Sequence, residues 1–264
     1  MLNRRVSLFG LAFVAAERDR VVDEVLERVR AGEQTLVLTV NVDFAVRFLQ
    51  QSGDERFQAA CRAAEVVVAD GMPIVWASRL MGRPLPCRVT GVDLMVDLCK
   101  AAAENDLSVS FLGAPPGVAE RAAALLRTQL PRLRVAGVHA PPLGFETITS
   151  EMEKALEAAN AGQPDFLFVA FGSPKAEVWV HRVRTRLRAR AVMGVGGALD
   201  MLAGRVPRAP GWMQGAGVEW AWRLWQEPTR LWRRYLTDGI MFPLYVWKEW
   251  RQPTKRTDDR SSAS

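Results

Sequence analysis

Residues 166–200 read FLFVAFGSPKAEVWVHRVRTRLRARAVMGVGGALD. The opening run, Phe166–Phe171, is continuously apolar, which fits a strand buried on both faces rather than one with a wet side. Gly172-Ser173-Pro174 interrupts it, and a proline there suits the first turn of a helix, where its missing N–H costs nothing. Lys175–Ala189 then mixes charged and apolar residues as a surface helix does. A second apolar run, Ala191–Val195, ends at Gly196-Gly197. Strand, helix and strand within about 30 residues form the unit of a parallel sheet, because parallel neighbours need a crossover between them.

The same alternation extends outward. Val6–Ala15, Thr35–Val40, Val66–Ala69, Val109–Leu112 and Arg134–Val138 read as further strands. Arg18–Ala31, Phe44–Gln50, Gly91–Glu104, Gly117–Leu130 and Ser150–Ala161 read as helices. The fold expected over residues 1–203 is therefore α/β: a Rossmann-like, mostly parallel sheet with helices on both faces. Arg4 and Arg5 ahead of Val6–Ala16 imitate a signal peptide, but charged residues resume directly afterwards with no small-residue cleavage pattern, so a first buried strand is expected.

The chain has 264 residues, of which 49% are hydrophobic and 24% charged, enough for a core of ordinary size. No apolar stretch reaches the roughly 18–20 residues of a spanning helix. Cys61, Cys87 and Cys99 are odd in number and lack metal-ligand spacing, so they read as free thiols in a reducing cytosol. His139 and His181 are isolated, and no metal site is expected.

The net charge of +6 is uneven. Residues 204–264 hold eleven Lys or Arg against six Asp or Glu, with seven of the nine tryptophans. Indoles favour a membrane interface and guanidinium groups bind phosphate. Residues 204–252 are thus expected to form a helical, membrane-associating appendage, with Val218–Tyr235 broken at Pro228 and Ile240–Trp247 lying on the surface. Residues 253–264 are polar and expected to be disordered. The competing reading is a solvated helix whose tryptophans pack onto the sheet domain. Spacing places Arg223, Arg230 and Arg234 near one helical face if Pro228 does not bend it.

Ligands of such sheets sit outside the carboxyl ends of the strands. Asp70 follows one buried run directly, and a carboxylate there can accept a proton from an attacking hydroxyl, given an ordinary pKa of about 3.9. It can equally be a turn or N-cap aspartate, since Asp-Gly is a common turn pair. Thr39 and Asn41 line a pocket or cap the helix that begins near Asp43. Arg88 is a phosphate ligand or a solvated surface group. The start of the helix at Gly172-Ser173-Pro174-Lys175 can hold an anion or nothing at all. Neither the dinucleotide-binding glycine fingerprint, nor a phosphate-binding loop, nor a nucleophile turn is present, and there is no Asp-x-Asp pair to hold a metal against a pyrophosphate. A nicotinamide-dependent oxidoreductase and a basic nucleic-acid-binding module stay open as alternatives, the first weakened by the missing fingerprint.

Taken in order, the strand-end motifs resemble the WecG/TagA/CpsF glycosyltransferases. They are Thr39-Val40-Asn41, Asp70-Gly71-Met72-Pro73, Arg88-Val89-Thr90-Gly91, Pro141–Phe145, Gly172–Lys175, Gly196-Gly197, Asp200, Gly204, Arg208-Ala209-Pro210, Glu219-Trp220 through Arg223, and Glu227-Pro228 with Arg230. The resemblance implies an inverting, metal-independent transfer of a sugar, without a cofactor, from a UDP-sugar to a polyprenyl-diphosphate-linked saccharide. It implies work on polysaccharide or cell-wall polymer in the cytoplasm, peripherally on the anionic inner face of the membrane, with no nucleic acid as partner and a homo-oligomer left open. By motif, Asp70 becomes the general base, with Thr39 and Asn41 beside it. Arg88, Gly113, Phe145, Gly172, Pro174, Lys175, Glu177, Gly196, Gly197 and Asp200 become donor contacts. Arg208, Arg223, Arg230, Arg233 and Arg234 become partners of the diphosphate or acceptor. Ala176 departs from the family's usual glutamine, which removes an amide from the donor side.

Overall fold

The order of strands in the sheet is β1-β2-β4-β3-β8-β7-β5-β6. In the computed structural model, which describes residues 3–50 and 54–251, these are β1 (Arg5–Leu8), β2 (Leu11–Val14), β3 (Thr35–Val40), β4 (Val66–Ala69), β5 (Ser108–Gly113), β6 (Arg134–His139), β7 (Phe166–Ala170) and β8 (Ala191–Gly194). Every pairing is parallel except β1 with β2. The expected disordered tail, residues 253–264, lies outside the described residues.

The single N-terminal strand expected from Val6–Ala15 is instead a hairpin. Phe9 and Gly10 both take positive φ (55° and 77°), so the chain reverses between Leu8 and Leu11. Two central residues of positive φ give a turn whose twist matches that of the flanking strands. The apolar run conceals the turn because Phe9 is itself buried.

Among the described residues, twelve α-helices surround the sheet. They are α1 (Arg18–Arg30), α2 (Val42–Leu49), α3 (Glu55–Arg62), α4 (Met72–Leu80), α5 (Gly91–Glu104), α6 (Val118–Gln129), α7 (Thr149–Asn160), α8 (Lys175–Val183), α9 (Ala198–Leu202), α10 (Gly211–Ala216), α11 (Glu219–Gln226) and α12 (Pro228–Trp250). Successive strand residues point to opposite faces. Leu36, Leu38 and Val40 of β3 therefore join one core with α2, α3, α4, α7 and α8, whereas Val37 joins the other with α1, α5, α6 and α9. The same division holds in β7, where Leu167 and Val169 face one way and Phe166 and Phe168 the other.

This layering positions the crevice. The connections leaving β3 and β7 pass to one face (α2, α8), and those leaving β8 and β5 pass to the other (α9, α6). Neighbouring strands whose exits diverge leave a gap at their carboxyl ends, where ligands of open α/β sheets bind.

Helix α3, capped by Asp54, and helix α4, with Pro73 in its first turn, escape the sequence reading. Both are short, with lengths of eight and nine residues, and each spans barely two turns of periodicity. Between Gly211 and Trp250 the chain is mostly helical, and Pro228 does separate two helices. Ile240–Trp247 is not a separate stretch. It continues α12, which runs 23 residues with Pro243 inside it and buries Phe242 and Val246 in the core shared with α2. One side of α12 packs on the sheet domain through Phe242 and Val246, but its tryptophans do not: Trp232 and Trp247 stay exposed with Leu236, Ile240 and Leu244.

Candidate active site

Strand β4 is buried throughout and ends at Ala69, so the next residue emerges at the carboxyl edge of the sheet. That residue is Asp70. Its N–H donates to the Val40 carbonyl at 2.8 Å, and the chain returns when Val89 N donates to the Ala69 carbonyl at 2.8 Å. The return brings in the N-terminus of α5. Thr90 caps that helix, its hydroxyl accepting from Asp93 N at 3.2 Å and donating to Asp93 Oδ2 at 2.7 Å. Gly91, in the first turn, donates its N–H to Asp70 Oδ2 at 3.2 Å.

The turn-cap role for Asp70 does not appear, because Gly71 occupies the N-cap of α4. The carboxylate faces α5 instead. A methyl group on Gly91 would stand 3.1 Å from Thr39 Oγ1 and 3.5 Å from Asp70 Oδ2, so both side chains lie against the first turn of α5. The ordinary pKa expected for Asp70 is corrected upward. Burial raises it, while the Gly91 N–H, Arg223 and Arg88 pull it down and Glu219 pushes it up. Its proton affinity therefore exceeds that of a surface aspartate, and it is a stronger base once ionised.

Asn41 caps α2, its Oδ1 accepting from Phe44 N at 3.0 Å, which is the capping alternative for that residue. Arg88 is not a solvated surface group. It is mostly buried, pairs with Glu219, and donates to the Gln214 carbonyl at 3.1 Å. Arg208 forks onto Asp93 at 2.7 and 2.9 Å and approaches Glu219 at 3.9 Å. Burial opposes ionisation of Asp93, but Arg208, Thr90 and Arg18 outweigh it and hold the carboxyl below its usual range. Two residues beyond the initial candidates, Asp93 and Glu219, thus organise this wall. Asp93 had a signal, since Thr90-Gly91-Val92-Asp93 has the spacing of a capping box.

The remaining donor-side candidates divide by location. Gly113 ends β5 with φ of 102°, and a Cβ there would lie 2.8 Å from the carbonyl of Ala170, so only glycine fits between the ends of β5 and β7. Gly172 and Pro174 form the turn into α8 across a cis Ser173–Pro174 bond, and Lys175 pairs with Glu146. Glu177 is buried behind that turn. Burial pushes its carboxyl up to about 7, against the pull of Ser173 and Arg47. Phe145 is in the core, 4.6 Å from the ring of Phe171. Gly196 and Gly197 link β8 to α9, where Asp200 pairs with Arg205 at 3.1 Å. Ala176 is buried, its methyl 3.8 Å from where a Gly194 side chain would begin.

The arginines of the C-terminal helices fall into two groups. Arg223 is exposed near Met201 Sδ at 3.9 Å, within electrostatic reach of Asp70, and Arg233 is exposed over the ring of Trp232 at 5.2 Å. Arg234 is occupied, binding Asp43 at 2.6 Å with Asp238 at 3.9 Å. The side chain of Arg230 lies outside the described residues. The single face expected for Arg223, Arg230 and Arg234 is not formed, because α11 ends at Gln226 and α12 starts at Pro228.

Residues 6–256 match the model of the glycosyl transferase WecG/TagA/CpsF family. An N-acetylglucosaminyldiphosphoundecaprenol N-acetyl-beta-D-mannosaminyltransferase of Bacillus spizizenii is 29% identical over 210 residues, covering 80% of this chain and 76% of that protein. Its Staphylococcus aureus counterpart (strain MRSA252) is 34% identical over 171 residues, covering 64% of this chain and 65% of that one. The chain therefore belongs to the WecG/TagA/CpsF family of glycosyltransferases.

Proposed function

We propose that this protein moves a sugar from a UDP-sugar onto a saccharide carried by a polyprenyl diphosphate, with Asp70 as the general base. The family assignment selects transfer over the oxidoreductase and nucleic-acid readings. The names of the two relatives favour an N-acetylhexosaminyl group as cargo and an N-acetylglucosaminyl diphospholipid as acceptor.

In the proposed step the acceptor hydroxyl attacks the anomeric carbon while Asp70 takes its proton. The bond from that carbon to the β-phosphate oxygen breaks, and UDP leaves with the electron pair. A single displacement of this kind inverts the anomeric configuration. Negative charge gathers on the leaving diphosphate, and guanidinium groups in place of a metal ion would neutralise it. Arg88 and Arg208 are already engaged by Glu219 and Asp93. The exposed Arg223 and Arg233 suit that task, together with Arg230 by its place in the motif.

The observation that carries this reading is the placement of Asp70: a carboxylate with a raised pKa at a helix N-terminus, beside Thr39 and within the field of Arg88 and Arg223. Asp70→Asn tests it. The fold should be unchanged by circular dichroism and turnover should fall by about two to four orders of magnitude, the usual contribution of a general base. Full turnover in that variant would remove Asp70 from the chemistry.

The reading also places the enzyme on the inner face of a membrane, with residues 1–203 as the catalytic domain and 204–252 as the appendage. Among the described residues no helix is long and apolar enough to cross a bilayer. Trp232, Leu236, Ile240, Leu244 and Trp247 recur about one turn apart on α12 and are exposed, as a helix lying in the headgroup layer requires.

A further inference from the structure

The aspartate–arginine cluster between α2 and α12 has no part in the transfer step above. Asp43 is in the first turn of α2, two residues beyond Asn41. It accepts from Arg47 Nη2 at 2.9 and 3.1 Å, and Arg234 Nε of α12 approaches it at 2.6 Å. Arg47 uses its other nitrogen, Nη1, to donate to the Ser173 carbonyl at 2.8 Å, in the turn that enters α8. Asp238, buried one helical turn beyond Arg234, completes the cluster. One carboxylate is therefore shared by two guanidinium groups, one reaching the appendage and the other reaching the turn at the ends of the central strands.

The rest of α12 is anchored independently. Glu249 accepts from Phe9 N at 2.9 Å with both oxygens and pairs with Arg83 at 3.2 Å, and Phe242 packs 5.6 Å from Phe9. With the Arg234 end loosened, these contacts would still hold the second half of the helix. That first half carries Arg233, and Tyr235 stacks edge-on to Trp220 of α11 at 6.2 Å, on the helix that bears Arg223.

We propose that Asp43 is a positioning residue: through Arg234 and Arg47 it couples the placement of the appendage arginines to the conformation of the Gly172–Lys175 turn. Arg234 then serves as a tie between elements and not as a ligand of the diphosphate. Where this bears on turnover it rests on the transferase reading; the coupling itself does not.

The test is hydrogen exchange on the full-length Arg234→Gln protein, with Asp43→Asn as a second variant. Arg234→Gln touches neither Arg47 nor Ser173. Coupling nevertheless predicts faster exchange, by about two- to thirtyfold, both in residues 228–240 and in residues 172–176, the range of measured coupling energies. Loss of protection confined to α12 would overturn the proposal, as would unchanged exchange in both segments. This outcome is readable whether or not sugar transfer is detected. In the transfer assay Arg234→Gln should lower kcat by a similar factor with KM for the UDP-sugar within about twofold, as expected when a group stabilising only the transition state is displaced. A rise in KM with unchanged kcat would instead make Arg234 a ground-state ligand. The double variant should be no worse than the more damaged single variant, because both break one linkage; additive losses would show two independent ties.

Discussion

The Asp70 pocket and the α2–α12 seam are built from the same residue types and use them in opposite ways. At the seam, two carboxylates, Asp43 and Asp238, crowd around the guanidinium of Arg234, and Arg47 is shared with a backbone carbonyl. At the pocket, one carboxylate with raised proton affinity lies within the field of Arg223, an exposed arginine, while the neighbouring arginines are held by Asp93 and Glu219. A guanidinium already matched by a carboxylate has little field left for an incoming phosphate, whereas an unmatched one at the lip of a crevice does. Counting arginines therefore says little about role; what matters is which of them are already engaged.

The contrast is broken most directly at Arg223. If its charge serves the leaving group, Arg223→Ala should lower turnover by about a hundred- to a thousandfold, the usual effect of removing one preorganised charge. Its melting temperature should hold, since the side chain is exposed. Steady-state kinetics and a thermal melt on one preparation decide the matter. Turnover within a few-fold of the parent would move the leaving-group role to other arginines.

Legibility from sequence follows the same line. The sheet is readable because most of its strands are short apolar runs alternating with helical patterns, and the helix expected over Gly91–Glu104 coincides with α5. The hairpin at Phe9-Gly10 is not readable, since a turn made by a buried phenylalanine has no polar signature. Asp70 was legible as a candidate from its place after β4, but not its environment, because Gly91 N–H, Arg88 and Arg223 come from segments far away in sequence. The difference between Arg223 and Arg234 was equally invisible. Both sit in arginine-rich helical sequence, and only the packing of α12 along α2 brings Asp43 to one of them.

A smaller effect sharpens the seam. Burial and then the nearby Asp43 push Asp238 up to about 6, while Arg234 and Arg47 pull it down. The folded-state value exceeds the unfolded one, so the fold favours the protonated form. The resulting penalty is absent below about pH 4, grows as pH rises through about 6, and is complete above it. Asp238→Asn removes that penalty while leaving the Asp43–Arg234 pair. It should raise stability by about 1–2 kcal/mol at pH 7.5, allowing for solvent screening, and change it little at pH 4. Denaturant titration at the two pH values checks this. Equal shifts at both would mean that packing, not charge, sets the effect.

The weakest expected effect on turnover lies on the outer side of the same helix. Trp232 and Trp247 are each about half exposed (49%), and Trp232 is stacked under Arg233 as Trp247 is under Arg251. Replacing both with serine exposes the half of each indole that is buried, about 100 Å² per site, so stability should fall by about 1–2 kcal/mol per site in a denaturant titration. A helix that lies on a bilayer loses its interfacial anchors by the same change. Co-sedimentation with anionic vesicles should therefore weaken by about tenfold, as for loss of about 1.4 kcal/mol of binding. Because the inner side of α12, with Arg234, Asp238, Phe242 and Val246, is untouched, turnover on a short-chain soluble acceptor should persist. A double serine variant that binds vesicles as the parent does would leave the exposed row without a membrane role, while one that loses soluble turnover would show that the two sides of α12 are not separable.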